Sequence, residues 1–176
     1  IMEIYYNANT REVLGAEIFG EVGIDKRIDV LSTAILGKLT VDDLSNLDLA
    51  YAPPFSPAKD PVIVAGFVSN NKDKHQYKEI AADDLCNILR SENKEKYQII
   101  DVRAPIELER QGVIESAINL ELDSLRENLG GLDPEKPTVV YCARGLRGYV
   151  GTMILENNGF KNLYNLGGGF ITWEKL

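Results

Sequence analysis

In the segment Pro137-Thr-Val-Val-Tyr-Cys-Ala-Arg-Gly-Leu-Arg-Gly-Tyr-Val150, an uninterrupted apolar run from Thr138 to Tyr141 stops at a tight turn and gives way to a helical pattern. A short continuous apolar run bounded by a turn suits a strand buried on both faces, as parallel sheets contain. Leu146, Val150, Met153 and Ile154 then recur at helical spacing, which predicts a helix over 146–157 with that face turned inward. Cys142 is thereby placed at the carboxyl end of a buried strand and just before a helix. In open α/β sheets, ligand sites form there.

Backbone amides directed into such a turn, together with the helix dipole, make a concavity for negative charge. Arg144 and Arg147 add two cations, no acidic residue lies between Thr138 and Leu155, and Gly145 lets the loop curl. A free cysteine titrates at about 8.5, and helix N-termini and nearby cations lower this to roughly 3.5–7.5 in reactive sites. The expectation is an ionised, nucleophilic Cys142. The competing reading is a small buried hydrophobe that ends a core strand. Cys86, inside Ala81-Ala-Asp-Asp-Leu-Cys-Asn-Ile-Leu89 with acidic neighbours, reads as a structural residue of an amphipathic helix.

Working outward, strands and helices alternate from residue 76 to the end, the rhythm of a parallel α/β sheet. Strands are predicted at 76–80, 97–102, 117–121, 138–141 and 162–166. Helices are predicted at 81–91, 105–110, 124–129, 146–157 and 170–175. Before this lies a different pattern. Ile4 to Asn7 and Glu12 to Phe19 read as a hairpin, Ile24 to Leu36 as an amphipathic helix, and Thr40, with Asp43 three residues on, as the start of a short helix. Tyr51-Ala-Pro-Pro-Phe-Ser-Pro57 is expected to run extended. Asp60 reads as the N-cap of a helix with Pro61 in its first turn. The polar stretch Ser69-Asn-Asn-Lys-Asp-Lys-His-Gln76 reads as the domain boundary, and His75 as a solvated linker histidine.

The chain of 176 residues suits two compact domains of modest size, and its charged (26%) and hydrophobic (44%) fractions are those of a globular protein. A formal charge of -8 gives no general electrostatic reason to bind nucleic acid or an anionic membrane surface. No apolar run approaches the roughly 20 residues of a membrane span, and no secretory signal is apparent, so a soluble, cytoplasmic protein is expected. Two cysteines and a single histidine suggest neither a disulfide scaffold nor a zinc site.

Residues 76–176 resemble a single-domain rhodanese, a thiol sulfurtransferase module. The resemblance rests on the six-residue loop Cys142-Ala-Arg-Gly-Leu-Arg147, on Asp101-Val-Arg103 followed by Glu107 and Gly112-Val-Ile114, and on the ending Leu166-Gly-Gly-Gly-Phe-Ile-Thr-Trp173. Two positions depart from the family pattern: Val113 stands where histidine is common, and Ser116 where glycine is common. The resemblance implies that Cys142 takes the outer sulfur of a donor as a persulfide and passes it to an acceptor. The main-chain amides of Ala143, Arg144, Gly145, Leu146 and Arg147 would stabilise the persulfide anion. Arg147 would face the pocket or hold the loop through a carboxylate, and Arg144 would face the mouth. Asp101 and Arg103 would line the pocket wall or form a structural salt bridge. Related folds that act on phosphate or arsenate use a cysteine loop in which five residues precede the arginine, whereas four separate Cys142 from Arg147.

Residues 1–72 resemble the α+β dimerisation domain of flavin-dependent disulfide reductases of the coenzyme A-disulfide reductase and NADH oxidase type. The matching stretches are Leu14-Gly-Ala-Glu-Ile-Phe-Gly20, Asp25-Lys-Arg-Ile-Asp29, Thr40-Val-Asp-Asp-Leu44, Tyr51-Ala-Pro-Pro-Phe-Ser56 and Asp60-Pro61. The resemblance implies a homodimer formed through this domain, with Tyr51 brought to the partner subunit's reductase site. It also implies a longer parent chain whose preceding domains use FAD and NAD(P)H and handle coenzyme A disulfide, coenzyme A persulfide or polysulfide. The start at Ile1 rather than a methionine fits a C-terminal piece that binds no cofactor itself. A different reading has both domains serving only dimerisation and binding.

Overall fold

The computed structural model describes residues 1–74 and 78–176. The chain divides into two compact units, Ile1–His75 and Gln76–Leu176. His75, read as a linker residue, and the predicted strand start at Gln76 lie outside the described residues.

In the first unit, β1 (Met2–Tyr6) and β2 (Val13–Ile18) pair antiparallel, Met2 opposite Ile18. Asn7 shapes the turn between them, its Oδ1 accepting from the amides of Asn9 and Thr10 at 2.8 and 3.0 Å. Helices α1 (Ile24–Leu36), α2 (Val41–Ser45) and α3 (Pro61–Lys74) complete the unit. Val13, Leu31, Ala34, Val41, Leu44 and Val62 form its core. Thr40 and Asp43 make a reciprocal capping box on α2. Asp60 caps α3, accepting from the Val62 amide at 3.1 Å.

One expectation fails in this unit, and one helix runs further than its apolar residues suggest. The polar residues Ser69 to Lys74 continue α3, and the division between the two units falls at the far end of the stretch read as the boundary. Its side chains have internal partners: Ser69 donates to the Ala65 carbonyl at 2.9 Å, and Asn70 donates to Ser45 Oγ at 3.3 Å and accepts from Arg11. The proline-rich segment curls rather than running extended, because the amides of Phe55 and Ser56 both bond the Ala52 carbonyl, at 2.9 and 3.0 Å. The φ that proline fixes suits a turn as well as an extended path. Consecutive residues of α1 hold both ends of the segment. Lys26 donates to the Ala50 carbonyl at 3.0 Å, and Arg27 reaches Ser56 Oγ at 3.3 Å and Asp60 Oδ2 at 3.1 Å.

The second unit is built on a five-stranded sheet of β3 (Lys78–Ile80), β4 (Gln98–Asp101), β5 (Ala117–Asn119), β6 (Thr138–Tyr141) and β7 (Leu163–Leu166). The strand order is β3-β7-β6-β4-β5 and every pairing is parallel. All residues of β4 and β6 are buried. Neighbours within a strand serve opposite faces: Ile99 and Val139 pack with Leu85, Ile114 and Phe170, while Ile100 and Val140 pack with Leu125, Ile154 and Leu155. The helices are α4 (Ala82–Arg90), α5 (Pro105–Gln111), α6 (Leu146–Asn157) and α7 (Gly169–Trp173).

The inward face of α6 differs from the predicted one. Gly148, Gly151, Thr152, Ile154 and Leu155 are buried, whereas Leu146 is 75% exposed and Val150 is also exposed. At Gly151 a Cβ would sit 3.1 Å from the side chains of both Val102 and Val140, so absent side chains let the helix lie close on the sheet. Ile154 faces inward as expected, but glycine carries no hydrophobic signal, which is why the pattern also turned Leu146 and Val150 inward. The helix predicted at 124–129 is instead a 3₁₀ segment, Leu122–Glu127, followed by a second, Leu129–Gly131.

Candidate active site

Strand β6 ends at Tyr141, and Cys142 follows it, 2% exposed. The next residues turn back toward the sulfur, and the Gly145 amide donates to Cys142 Sγ at 3.1 Å. Gly145 takes φ +127, a conformation open to glycine and strained for other residues. Helix α6 begins at Leu146, so its N-terminal end adjoins the sulfur loop. The contact aims one backbone donor of the loop at the sulfur atom.

Arg147 closes the loop on α5. Its Nη1 and Nη2 donate to Glu107 Oε2 and Oε1 at 2.6 and 2.7 Å. Glu107 Oε2 also accepts from the Ala104 amide, 3.1 Å away, at the start of α5. The hydrogen bonds from Arg147 hold the Glu107 carboxyl below its ordinary range, and Glu107 together with the nearby Cys142 holds the Arg147 guanidinium above its own. Arg144 is exposed, and its side chain is in no ion pair among the described residues.

A second brace comes from α7. The amides of Phe170 and Ile171 donate to the carbonyls of Cys142 and Ala143, at 2.8 and 3.1 Å. With those carbonyls turned toward α7, the Gly145 amide is left facing the sulfur. The approach demands glycine. A Cβ at Gly169 would fall 2.5 Å from the Cys142 carbonyl oxygen and 2.7 Å from the Arg144 nitrogen, at φ +62. The Gly167–Gly169 turn does not fit a dinucleotide phosphate, since the helix amides that follow it are engaged by the cysteine loop.

Asp101 and Arg103 form a buried pair rather than an open wall. Arg103 is 0% exposed; its Nη2 donates to Asp101 Oδ2 at 2.7 Å and to the Gly112 carbonyl at 2.8 Å, and its guanidinium lies 4.1 Å from the Phe170 ring centroid. Between the two sequence readings of this pair, the geometry is that of the structural salt bridge. Phe170 connects it to the active loop, packing on Arg103 and bonding the Cys142 carbonyl. Tyr51, in the other unit, is about half exposed, and Cys86 is partly buried on α4.

The sequence reading missed the bracing by Gly169 and Phe170. The glycine run was visible, but nothing local tells which backbone it must admit. Glu107 stood out only through the family pattern, although a carboxylate three residues past Ala104, at the head of a helix, is a recognisable signal. Ser116, where the family often has glycine, takes φ +67, so the common glycine has a local reason.

A parallel sheet carrying a cysteine loop of this build is a rhodanese-like architecture. The chain belongs to the rhodanese-like domain family, whose model matches residues 85–176, more than half of it. It is similar to the NAD-dependent persulfide reductase from A. fulgidus, with 37% identity, a TM-score of 0.83 and coverage of 98% of this chain and 30% of that one. It is equally similar to the reduced Bacillus anthracis CoADR-RHD, with 36% identity, a TM-score of 0.85 and the same coverage. Among curated proteins it is 46% identical over 66 residues to the coenzyme A disulfide reductase of Staphylococcus aureus, which is 38% of this chain and 15% of that protein. The chain thus spans less than a third of these relatives. Among the described residues, no helix is long and apolar enough to cross a membrane, and no group of three or more metal-ligating side chains occurs.

Proposed function

We propose that Cys142 is the persulfide-carrying residue of a sulfurtransferase site. The observation that carries the reading is the Gly145 amide on Cys142 Sγ, in a loop whose last residue is fixed by Glu107. The Cys142 thiolate attacks the outer sulfur of a donor, the donor's sulfur bond breaks, and the donor leaves with the electron pair. The amides of residues 143–147 stabilise the resulting Cys142 persulfide, which an acceptor thiolate then attacks in the same sense. The loop holds four residues between Cys142 and Arg147, which suits a sulfur atom better than a tetrahedral oxyanion.

The similarity of nearly the whole chain to two reductases supports a larger role. In that reading residues 1–72 are a dimerisation domain, residues 76–176 the rhodanese domain, and the whole belongs to a cytoplasmic CoA-disulfide, CoA-persulfide or polysulfide reductase. FAD, NAD(P)H and coenzyme A would be held by other portions of such a chain, and Tyr51 would serve the partner subunit's reductase site. Sulfur transfer at Cys142 requires none of these cofactors.

Turnover of thiosulfate or polysulfide with cyanide as acceptor tests the site. Thiocyanate should form with the wild-type chain and with Cys86→Ser and be lost in Cys142→Ser; activity retained in Cys142→Ser overturns the assignment. Gel filtration tests the pairing, which a strictly monomeric chain at high concentration would contradict.

A further inference from the structure

Arg103 carries a charge that is wholly withdrawn from solvent, and every nitrogen of its guanidinium has a partner. Nε and Nη2 donate to Asp101 at 3.0 and 2.7 Å, Nη2 also to the Gly112 carbonyl at 2.8 Å, and Nη1 to Gln111 Oε1 at 3.1 Å. A buried ion pair contributes little net stability over apolar side chains of the same volume, because desolvation offsets the attraction. What this pair does is hold a flat cation against two rings. The guanidinium carbon lies 4.1 Å from the Phe170 ring centroid and 5.5 Å from that of Tyr141, and the two rings are 6.3 Å apart with 24° between their planes. Both ring residues touch Cys142 through the backbone. Tyr141 precedes it in the chain, and the Phe170 amide donates to its carbonyl at 2.8 Å. With that carbonyl drawn toward α7, the Gly145 amide reaches Cys142 Sγ.

We infer that Arg103 is a positioning residue of the sulfur loop, acting through the Phe170 and Tyr141 rings to keep the Cys142 carbonyl on α7 and the loop amide on the sulfur. The inference rests on the reading of Cys142 as the reacting thiolate. A lysine at 103 keeps the charge beside Asp101 but has neither the flat face nor the fork that reaches Gly112 and Gln111. A leucine at 170 keeps the backbone amide and an apolar side chain but loses the ring. Both changes loosen the same strut.

The test follows iodoacetamide alkylation of Cys142 against pH, by peptide mass spectrometry, in wild type, Arg103→Lys, Phe170→Leu and the double variant, with melting temperatures measured alongside. The charges facing the sulfur stay as they are: Arg147 from α6 with Glu107 of α5, and the exposed Arg144 of the loop. Strand β7 brings the uncharged Asn165 beside the Cys142 backbone, the 3₁₀ segment brings Leu125, and α7 brings backbone amides. A hydrogen bond to a charged group corresponds to roughly one to two pH units in such a midpoint. Each single variant should raise the alkylation midpoint by about one unit, at the low end of that range, and the double variant by no more than the larger single change. A merely structural role lowers the melting temperature and leaves the midpoint of the folded chain in place. An unchanged midpoint in folded Phe170→Leu, or shifts that add in the double variant, would overturn the inference; if Arg103→Lys does not fold, Phe170→Leu decides alone. A wild-type Cys142 that alkylates but gains no sulfur from a sulfane donor would overturn the sulfurtransferase reading instead, a distinct result.

Discussion

Arg147 and Glu107 face each other through two parallel hydrogen bonds of 2.6 and 2.7 Å, joining the last residue of the cysteine loop to α5. The pair is only partly buried, with side-chain exposures of 38% and 25%, so solvent screens it. Its paired geometry still raises it above an ordinary surface bridge. Glu107→Gln should lower stability by about 1 kcal/mol and slow sulfur loading by loosening the loop. Urea unfolding and loading rates check both effects.

The same pair predicts a pH dependence. The Glu107 carboxyl lies below its ordinary range in the folded chain, so its contribution is complete above the unfolded value of about 4.3 and is lost as pH falls through the lower folded value. Arg147 stays charged throughout. Acid unfolding followed by circular dichroism should therefore show wild type and Glu107→Gln converging in stability as pH drops below about 4.

Gly169→Ala places a Cβ against the backbone of Cys142, Ala143 and Arg144 at positive φ. The backbone strain alone costs roughly 1–3 kcal/mol, and displacement of the loop should abolish the Gly145 contact with sulfur. Gly130→Ala, where nothing lies within 4 Å, is the control and should fall within about 0.5 kcal/mol of wild type. Melting temperatures and loading rates of the two variants separate the effects.

Arg103→Met would leave Asp101 as a buried, unpaired carboxylate at 0% exposure, a change that costs about 3–5 kcal/mol. Replacing both residues by apolar side chains should recover most of that loss. A double-mutant cycle in urea measures it.

Ser116→Gly relieves a left-handed φ of +67 but adds freedom to the unfolded chain. The balance predicts a gain of roughly 0.5 kcal/mol, read from the denaturation midpoint.

Elements with a strong local signature were legible. The continuous apolar run at β6, the turn at Cys142 and the Thr40–Asp43 box each declare themselves within a few residues. What remained hidden depends on long-range contact. The buried face of α6 is made in part by Gly148 and Gly151, which show no hydrophobicity, and Asn70 belongs inside because Arg11, far away in sequence, meets it. At the site, Cys142 and Arg147 were readable from spacing and charge, and Glu107 from a family pattern. The fit of Gly169 beneath the loop was not, because a glycine's neighbours are written elsewhere in the chain.

The proposed role of Cys142 as a carrier of transferable sulfur is tested by incubating the chain with a sulfane donor and mapping its peptides by mass spectrometry under non-reducing conditions. One added sulfur is expected on the Cys142 peptide, removed by a thiol acceptor, with none on Cys86. A Cys142 peptide that gains nothing, or the same gain in Cys142→Ser, would contradict it.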